Sequence, residues 1–397
     1  CRAQGRRPGC RFVSSTQVVS QVVHWLEQGE PHSALWRAES GATPENILVA
    51  DDRMTADAAY RLARTGTALL WRGDFQNARQ LLQALARRAD RQRRNTSEAP
   101  SAGVAFQQHR QTQGRRADIL NKLLLPLNAD YSVPLRRAPD VRQACSEAYG
   151  PATASTAPSL ISLRELQGLI GAHEWRKKGV PVAALNARIH PHYGVFAPVR
   201  GEYVGLVNEA PLPAALAADS LAFDIGTGTG VLAAVLAKRG IARIIATDQN
   251  PRALTCAREN LVRLGWADQV TVVQADLFPA GRAPLIVCNP PWVPAQPHSA
   301  LDEAIYDPDS RMLRGFLTGL AAHLTPDGEG WLVLSDIAEH LGLRTRDELL
   351  AMIATAGLTV ADRLDVRPTH RRASDASDPL HAARAAEVTS LWRLVVR

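Results

Sequence analysis

Asn289-Pro290-Pro291-Trp292 brings together groups suited to handling a flat nitrogen. An amide or exocyclic amine nitrogen is a poor nucleophile because its lone pair is delocalised. Its reactivity rises when two acceptors take its N–H hydrogens and draw it towards tetrahedral geometry. The Asn289 side-chain oxygen and the Pro290 carbonyl could supply those acceptors, and the paired prolines stiffen the loop that carries them. The Trp292 indole offers a face on which a planar group could stack. Sixty-five residues earlier stands Asp224-Ile225-Gly226-Thr227-Gly228-Thr229-Gly230. Gly226, Gly228 and Gly230 let the backbone turn tightly and approach a ligand closely. Their spacing, Gly-x-Gly-x-Gly, differs from the Gly-x-Gly-x-x-Gly of dinucleotide sites. Asp224 before the turn would repel a pyrophosphate. It could receive the cationic amino group of S-adenosylmethionine, directly or through water.

Two further acids extend this pattern. Asp248, 24 residues after Asp224, is placed to accept both hydroxyls of a ribose. Nicotinamide enzymes use a similarly placed acid, so Asp248 alone does not discriminate. Asp276 is placed to accept from an adenine amino group, with the Leu277 backbone beside a ring nitrogen. Each acid could instead cap a helix or stand on the surface, and the Pro-Pro-Trp run could be a packing turn.

The elements around these residues alternate. Strands are predicted over 221–225, 241–247, 270–274 and 284–288, ending at or near Asp224, Asp248, Asp276 and Asn289. Helices are predicted over 230–239 and over 251–264, the second with Pro251 in its first turn. A helix near 310–323, a strand over 330–335 and a helix over 345–356 follow. The last strands, 358–366 and 387–396, flank an Arg-, Ser- and Asp-rich loop with no helix between them. They should pair as an antiparallel edge hairpin. The pattern predicts an α/β fold with a Rossmann-like, doubly wound, seven-stranded sheet, and such sheets bind ligands beyond the carboxyl ends of their strands.

The chain before this region reads as mainly helical. Helices are predicted over 12–28, 55–94, 104–125 and 162–178. Within 55–94, Phe75, Ala78, Leu81, Leu82 and Leu85 recur at helical spacing behind Asp74 as N-cap. That helix runs into Arg87, Arg88, Arg91, Arg93 and Arg94. A loop is predicted over 95–103, a helix stop at Pro126, and a linker over 150–159. Residues 188–196 read as an extended segment, and Arg200 and Tyr203 beyond it could cover the cofactor pocket. The resulting division is 1–150, a basic, mainly helical substrate-recognition domain; 151–187, linker and helix; and 188–397, the domain with the glycine turn.

Charge is uneven along the chain. Residues 1–150 hold 22 Lys and Arg against 14 Asp and Glu, a net of +8, whereas the remainder is at −1. A positive face would attract RNA or an acidic protein through its field and through counterion release. It could also be an arginine-rich, solvated surface. The hydrophobic fraction of 46% and charged fraction of 21% are those of an ordinary soluble protein. No apolar run approaches the ~20 residues of a membrane helix, so no membrane partner is expected. The five cysteines, Cys1, Cys10, Cys145, Cys256 and Cys288, are scattered and fit reduced thiols in a cytoplasm. Cys1 reads as a truncated start rather than a lipid-bearing residue. His190 and His192 lack a third ligand at motif spacing, so no metal is expected; local hydrogen bonding or a cleft lining suits them better.

Residues 188–397 resemble the class I S-adenosylmethionine-dependent methyltransferases with an (Asn/Asp)-Pro-Pro-(Tyr/Phe/Trp) motif, and among these the HemK-like enzymes. The resemblance is carried by 224–230, Thr247-Asp248-Gln249-Asn250-Pro251-Arg252-Ala253-Leu254, Gln274-Ala275-Asp276-Leu277-Phe278 and Asn289-Pro290-Pro291-Trp292-Val293-Pro294. It implies cofactor roles for Asp224, Gly226, Gly228, Asp248 and Asp276 and an acceptor-nitrogen role for Asn289; the reading of the residues adds Gly230 and Leu277 on the cofactor side and Pro290 and Trp292 on the acceptor side. Members methylate the glutamine amide of release factors and ribosomal proteins, or base nitrogens such as guanine N2, adenine N6 and cytosine N4. The glutamine enzymes usually carry Tyr where this chain has Trp292, and the N-terminal region is longer than their small helical bundle. The expected activity is therefore N-methylation. A base amino group of RNA or a ribosome-associated substrate is slightly preferred over a protein glutamine. A non-catalytic module of the same fold is the rival reading.

Overall fold

The computed structural model describes residues 21–39, 42–91, 101–297, 302, 304–368, 375 and 378–397. Cys1, Cys10, Arg93, Arg94, most of the predicted 95–103 loop and residues 369–374 and 376–377 of the loop before the last strand lie outside these residues. Two large sheets organise the chain. The first has the order β1-β2-β6-β5-β4-β3, built from β1 (Val22–Glu27), β2 (Glu30–Arg37), β3 (Ile47–Ala50), β4 (Ala68–Trp71), β5 (Leu123–Leu127) and β6 (Ser159–Ser162). Five helices accompany it: α1 (Ala56–Arg64), α2 (Phe75–Arg91), α3 (Ala102–Leu120), α4 (Arg142–Tyr149) and α5 (Leu163–Lys178).

The N-terminal region is therefore not mainly helical, and the reasons are local. Residues 22–27 were expected within a helix over 12–28, of which 12–20 lie outside the described residues. They form a strand because Gln28 (φ 54°) and Gly29 (φ 86°) make a two-residue left-handed turn that folds β1 onto β2. The predicted 55–94 helix is broken at Gly66 (φ 95°), and Ala68-Leu69-Leu70-Trp71 becomes a fully buried strand. A short apolar run of this kind has no period that separates strand from helix. The predicted 104–125 helix ends at Leu120, and Pro126 sits inside β5, opposite Leu160 of β6. Within 151–187 the predicted helix over 162–178 is α5, but the segment before it is more than a linker, since β6 inserts between β2 and β5. Asp74 does cap α2, its carboxylate accepting from the Gln76 amide at 2.8 Å.

After the small β7 (Val180–Val182) and β8 (Ala187–Ile189) hairpin and α6 (Glu202–Glu209), the second sheet begins. Its strands are β9 (Leu221–Ile225), β10 (Arg243–Asp248), β11 (Val270–Gln274), β12 (Ala283–Cys288), β13 (Leu324–Ser335), β14 (Leu358–Val366) and β15 (Thr389–Val396), in the order β11-β10-β9-β12-β13-β15-β14. The first five are parallel and β15 runs antiparallel between β13 and β14. This is the Rossmann-like, doubly wound, seven-stranded sheet with an antiparallel edge that strand–helix alternation predicts. One face is covered by α6, α7 (Val231–Lys238) and α8 (Pro251–Leu264), the other by α9 (Arg311–His323) and α11 (Arg346–Thr355). All six residues of β12 are buried, as a central strand covered on both sides requires. The short α10 (Ile337–His340) and α12 (His381–Ala386) complete the chain. Among the described residues no helix is long and apolar enough to cross a membrane.

Candidate active site

Strand order converges the two motifs. From β9 the chain moves outward through β10 to β11, then returns to place β12 on the other side of β9. The reversal opens a crevice at the carboxyl ends of β9 and β12. In the register of that pair Ile225 faces Cys288. The next residues, Gly226 and Asn289, therefore leave the sheet side by side despite their separation in sequence.

The glycine turn is held from below by the two acids. Asp224 is 1% exposed; its carboxylate accepts from Thr227 Oγ1 at 2.6 Å and from the Ala233 amide at 3.0 Å. Burial pushes its carboxyl up to about 6 from the ordinary 3.8. Asp248 accepts from the Gly228 amide at 3.0 Å and from the Asn250 amide at 2.9 Å, and burial raises its carboxyl as well. Gly226 (φ 71°), Gly228 (φ 53°) and Gly230 (φ 80°) all adopt the left-handed region. A Cβ on Gly226 would lie 2.5 Å from Met312 Cε, whereas one on Gly228 would meet nothing within 4 Å. The turn is closed by α9 at one glycine and open at the next. That opening, flanked by a carboxylate at the end of the neighbouring strand, suits the amino acid and ribose parts of S-adenosylmethionine.

Asp276 is 60% exposed and pairs with Gln249 Nε2 at 2.6 Å and with Arg311 at 3.0 Å. Leu277 takes φ 74°, uncommon for a branched side chain, and its carbonyl accepts from Thr247 Oγ1 at 2.6 Å. The bond ties the Leu277 backbone to the end of β10.

The acceptor motif is more connected than its sequence discloses. Trp292 donates its indole N–H to Asn289 Oδ1 at 2.8 Å. This takes one lone pair of the carboxamide oxygen, fixes which end of the side chain is oxygen and leaves the second lone pair for another donor. The Arg200 guanidinium carbon stands 5.9 Å from the centre of the Trp292 ring. Arg200 in turn pairs at 3.0 Å with Glu387, which is 1% exposed and also accepts from Ser335 Oγ at 2.6 Å. Ser335 ends β13 and Glu387 precedes β15, so both lie at the same edge of the sheet as Asn289. Sequence reasoning missed Ser335, Glu387, Met312 and Gln249. The positions of Ser335 and Gln249 at strand ends could have signalled those two, whereas Glu387 and Met312 carried no such signal. Tyr203, expected to cover the cofactor pocket, is buried in the core. The His190 ring bonds to the Arg176 carbonyl at 2.6 Å and the His192 ring to Glu259 at 2.9 Å.

Comparisons with known proteins follow this geometry. A family model described as the methyltransferase small domain matches residues 188–346. A release factor glutamine methyltransferase of Xylella fastidiosa is 30% identical over 220 residues, covering 50% of this chain and 77% of that protein. Another from Cereibacter sphaeroides is 36% identical over 136 residues, covering 30% of this chain. This chain spans about half the length of that relative, 49%. A tRNA1(Val) (adenine(37)-N6)-methyltransferase of Shewanella loihica is 28% identical over 38% of this chain and 63% of its own. Among solved structures, a methyltransferase from Pyrococcus furiosus matches 59% of this chain and 99% of that chain, with a TM-score of 0.38 at 16% identity.

Proposed function

Because the chain belongs to the HemK-like class I S-adenosylmethionine-dependent methyltransferases, we propose that it methylates a planar nitrogen held by Asn289 and Pro290. The observation that carries this reading is the register of β9 against β12, which brings the glycine turn and Asn289 to one crevice. When bound, S-adenosylmethionine supplies an electrophilic methyl group with a thioether as leaving group. Transfer to the acceptor nitrogen would form the N–C bond as the carbon–sulfur bond breaks, with that electron pair leaving on the thioether. The nitrogen then loses a proton, so no strong general base is needed. What the chain contributes is alignment and polarisation. Asn289 Oδ1 takes one acceptor N–H on its free lone pair and the Pro290 carbonyl takes another. Asp248 would hold the ribose, Asp276 and Leu277 the adenine, and Asp224 the amino group, directly or through water.

For the acceptor we favour the exocyclic amino group of a base in RNA or in a ribosome-associated substrate, on the +8 balance of the first 150 residues. The N-terminal sheet and its helices then serve as the substrate-recognition domain. A glutamine amide is the second reading, supported by the release factor enzymes among the relatives. Purified protein, labelled donor and a lysate lacking the enzyme should place the label in a ribonuclease-sensitive fraction. Label confined to a polypeptide and indifferent to ribonuclease would select the glutamine reading.

The assignment of Asp224 carries a pH dependence. Its folded pKa, about 6, lies above the ordinary 3.8. The folded chain thus keeps this proton longer than the unfolded chain. On this group alone, stability is complete below about 3.8 and declines as pH rises through 6. Cofactor affinity runs the opposite way, because the ammonium group needs the carboxylate ionised. Acidification from about pH 7 to pH 5 is expected to weaken binding of S-adenosylmethionine about ten-fold, following the ionised fraction. Calorimetry across this range checks it, and a flat profile would remove Asp224 from the site. In Asp224→Asn the inflection near 6 should vanish.

A further inference from the structure

The first sheet bears a cavity that methyl transfer does not use. Its volume is about 570 Å³, inside the range of about 300–1,000 Å³ of ligand pockets. Trp36 near the end of β2 forms one wall, and residues around the ends of α1 and α3 form the others. Arg64, Arg115 and Lys122 line it against a single acid, Asp118. Neighbouring arginines are neutralised: Arg88 pairs with Asp57 and Arg116 with Asp90. Among the described residues no ion pair reaches Arg64, Arg115 or Lys122. Trp36 is 7% exposed, yet its indole N–H is buried with no partner. Buried donors are seldom left so. Three cations without an ion pair, lining with one acid a cavity walled by Trp36, make a receptor for an anion that offers several acceptor oxygens.

The extent of the charge identifies that anion. Strands β3, β4 and β5 are parallel, and α1 and α3 lead directly into β4 and β5. Their carboxyl ends therefore meet at one edge of the sheet. The Arg116–Asp90 bond ties the end of α2 to the same edge. Arg61, Arg87 and Arg91 stand exposed there, extending the charge beyond the cavity into a strip. A strip matches a polyanion better than a single small anion. Helix α3 also links this edge to the acceptor loop. Five residues before Arg115, about 7.5 Å along the axis, the Arg110 guanidinium lies 4.1 Å from the Tyr306 ring centre and donates to the Gln296 carbonyl.

We propose that the Trp36–Arg64–Arg115–Lys122 cavity binds the sugar–phosphate backbone of RNA, and that α3 sets the distance from that grip to Asn289. This rests on the reading of the acceptor as RNA. The test uses the full chain and a short fluorescein-labelled single-stranded RNA of mixed sequence, followed by anisotropy at several salt concentrations. Arg64→Glu combined with Arg115→Glu should weaken binding at least ten-fold and flatten the salt dependence by about two phosphate contacts. Both side chains are exposed, so the variant should fold, and unchanged calorimetric binding of S-adenosylmethionine verifies it. Lys122→Gln removes the third cation and should weaken binding several-fold and flatten the salt dependence by about one further contact. Wild-type affinity and slope in both variants would overturn the site, as would no RNA binding by the unaltered protein. RNA binding that is lost in the variants, with methyl label entering only a polypeptide, supports the cavity and rejects RNA as acceptor.

Discussion

Asn289→Ala should bind S-adenosylmethionine as the unaltered protein does and lose about 10²–10³ in kcat, the range for removing one preorganised polar group from a reacting centre. The side chain is half-buried and its oxygen is already oriented by the Trp292 indole at 2.8 Å. Truncation removes the acceptor for the substrate N–H and leaves the indole N–H unpaired. Pro290 remains, so one polarising carbonyl survives and activity should not vanish. Trp292→Phe separates orientation from stacking. It keeps an aromatic face, loses the bond to Asn289, and should cost about ten-fold, the worth of a single neutral hydrogen bond. Single-turnover rates with labelled donor, alongside calorimetric Kd values, measure both. Full activity in Asn289→Ala would end the assignment. A cofactor Kd raised in step with the loss of rate would mean that the loop supports the donor instead.

Asp248→Ala should weaken S-adenosylmethionine binding at least about 100-fold, because two hydrogen bonds from ribose hydroxyls to a carboxylate, each worth about 1.5–3 kcal/mol, disappear together. The same carboxylate accepts from the Gly228 and Asn250 amides. Its loss therefore also loosens the glycine turn and should lower stability by about 1–3 kcal/mol. Asp248→Asn keeps an acceptor oxygen but not the charge, and should fall between. Isothermal calorimetry gives the affinity and a denaturant titration gives the stability. A destabilised variant with normal cofactor affinity would make Asp248 a brace for the turn and nothing more.

Charge placement along the chain and geometry near Asn289 were unequally legible beforehand. The C-terminal region could be read almost element by element, because its first four strands are short, largely apolar runs that end at or near Gly226, Asp248, Asp276 and Asn289. Helix α8 shows its start through Asn250 and Pro251, and its end at Gly265 (φ 79°). The N-terminal region misled the same reasoning. Val22–Glu27 and Ala68–Trp71 are too short to show a period; the first is a strand because a two-residue turn folds it onto β2, the second because it pairs with β3 and β5, which lie about 20 and 50 residues away in sequence. At the site, the motif residues were visible and their partners were not. The Arg200–Glu387 and Ser335–Glu387 bonds span 187 and 52 residues, and no spacing rule reaches that far.

Residue type and local spacing, by themselves, determined the seven-stranded α/β domain, the turn that needs left-handed glycines and the loop stiffened by prolines, because backbone propensities act within a few residues. Only the tertiary structure decided that β12 returns beside β9, that an indole N–H orients the Asn289 oxygen, and that a second six-stranded sheet precedes the first motif. Each of these depends on contacts between distant segments, whose free energy belongs to the packed whole and is written in no local pattern.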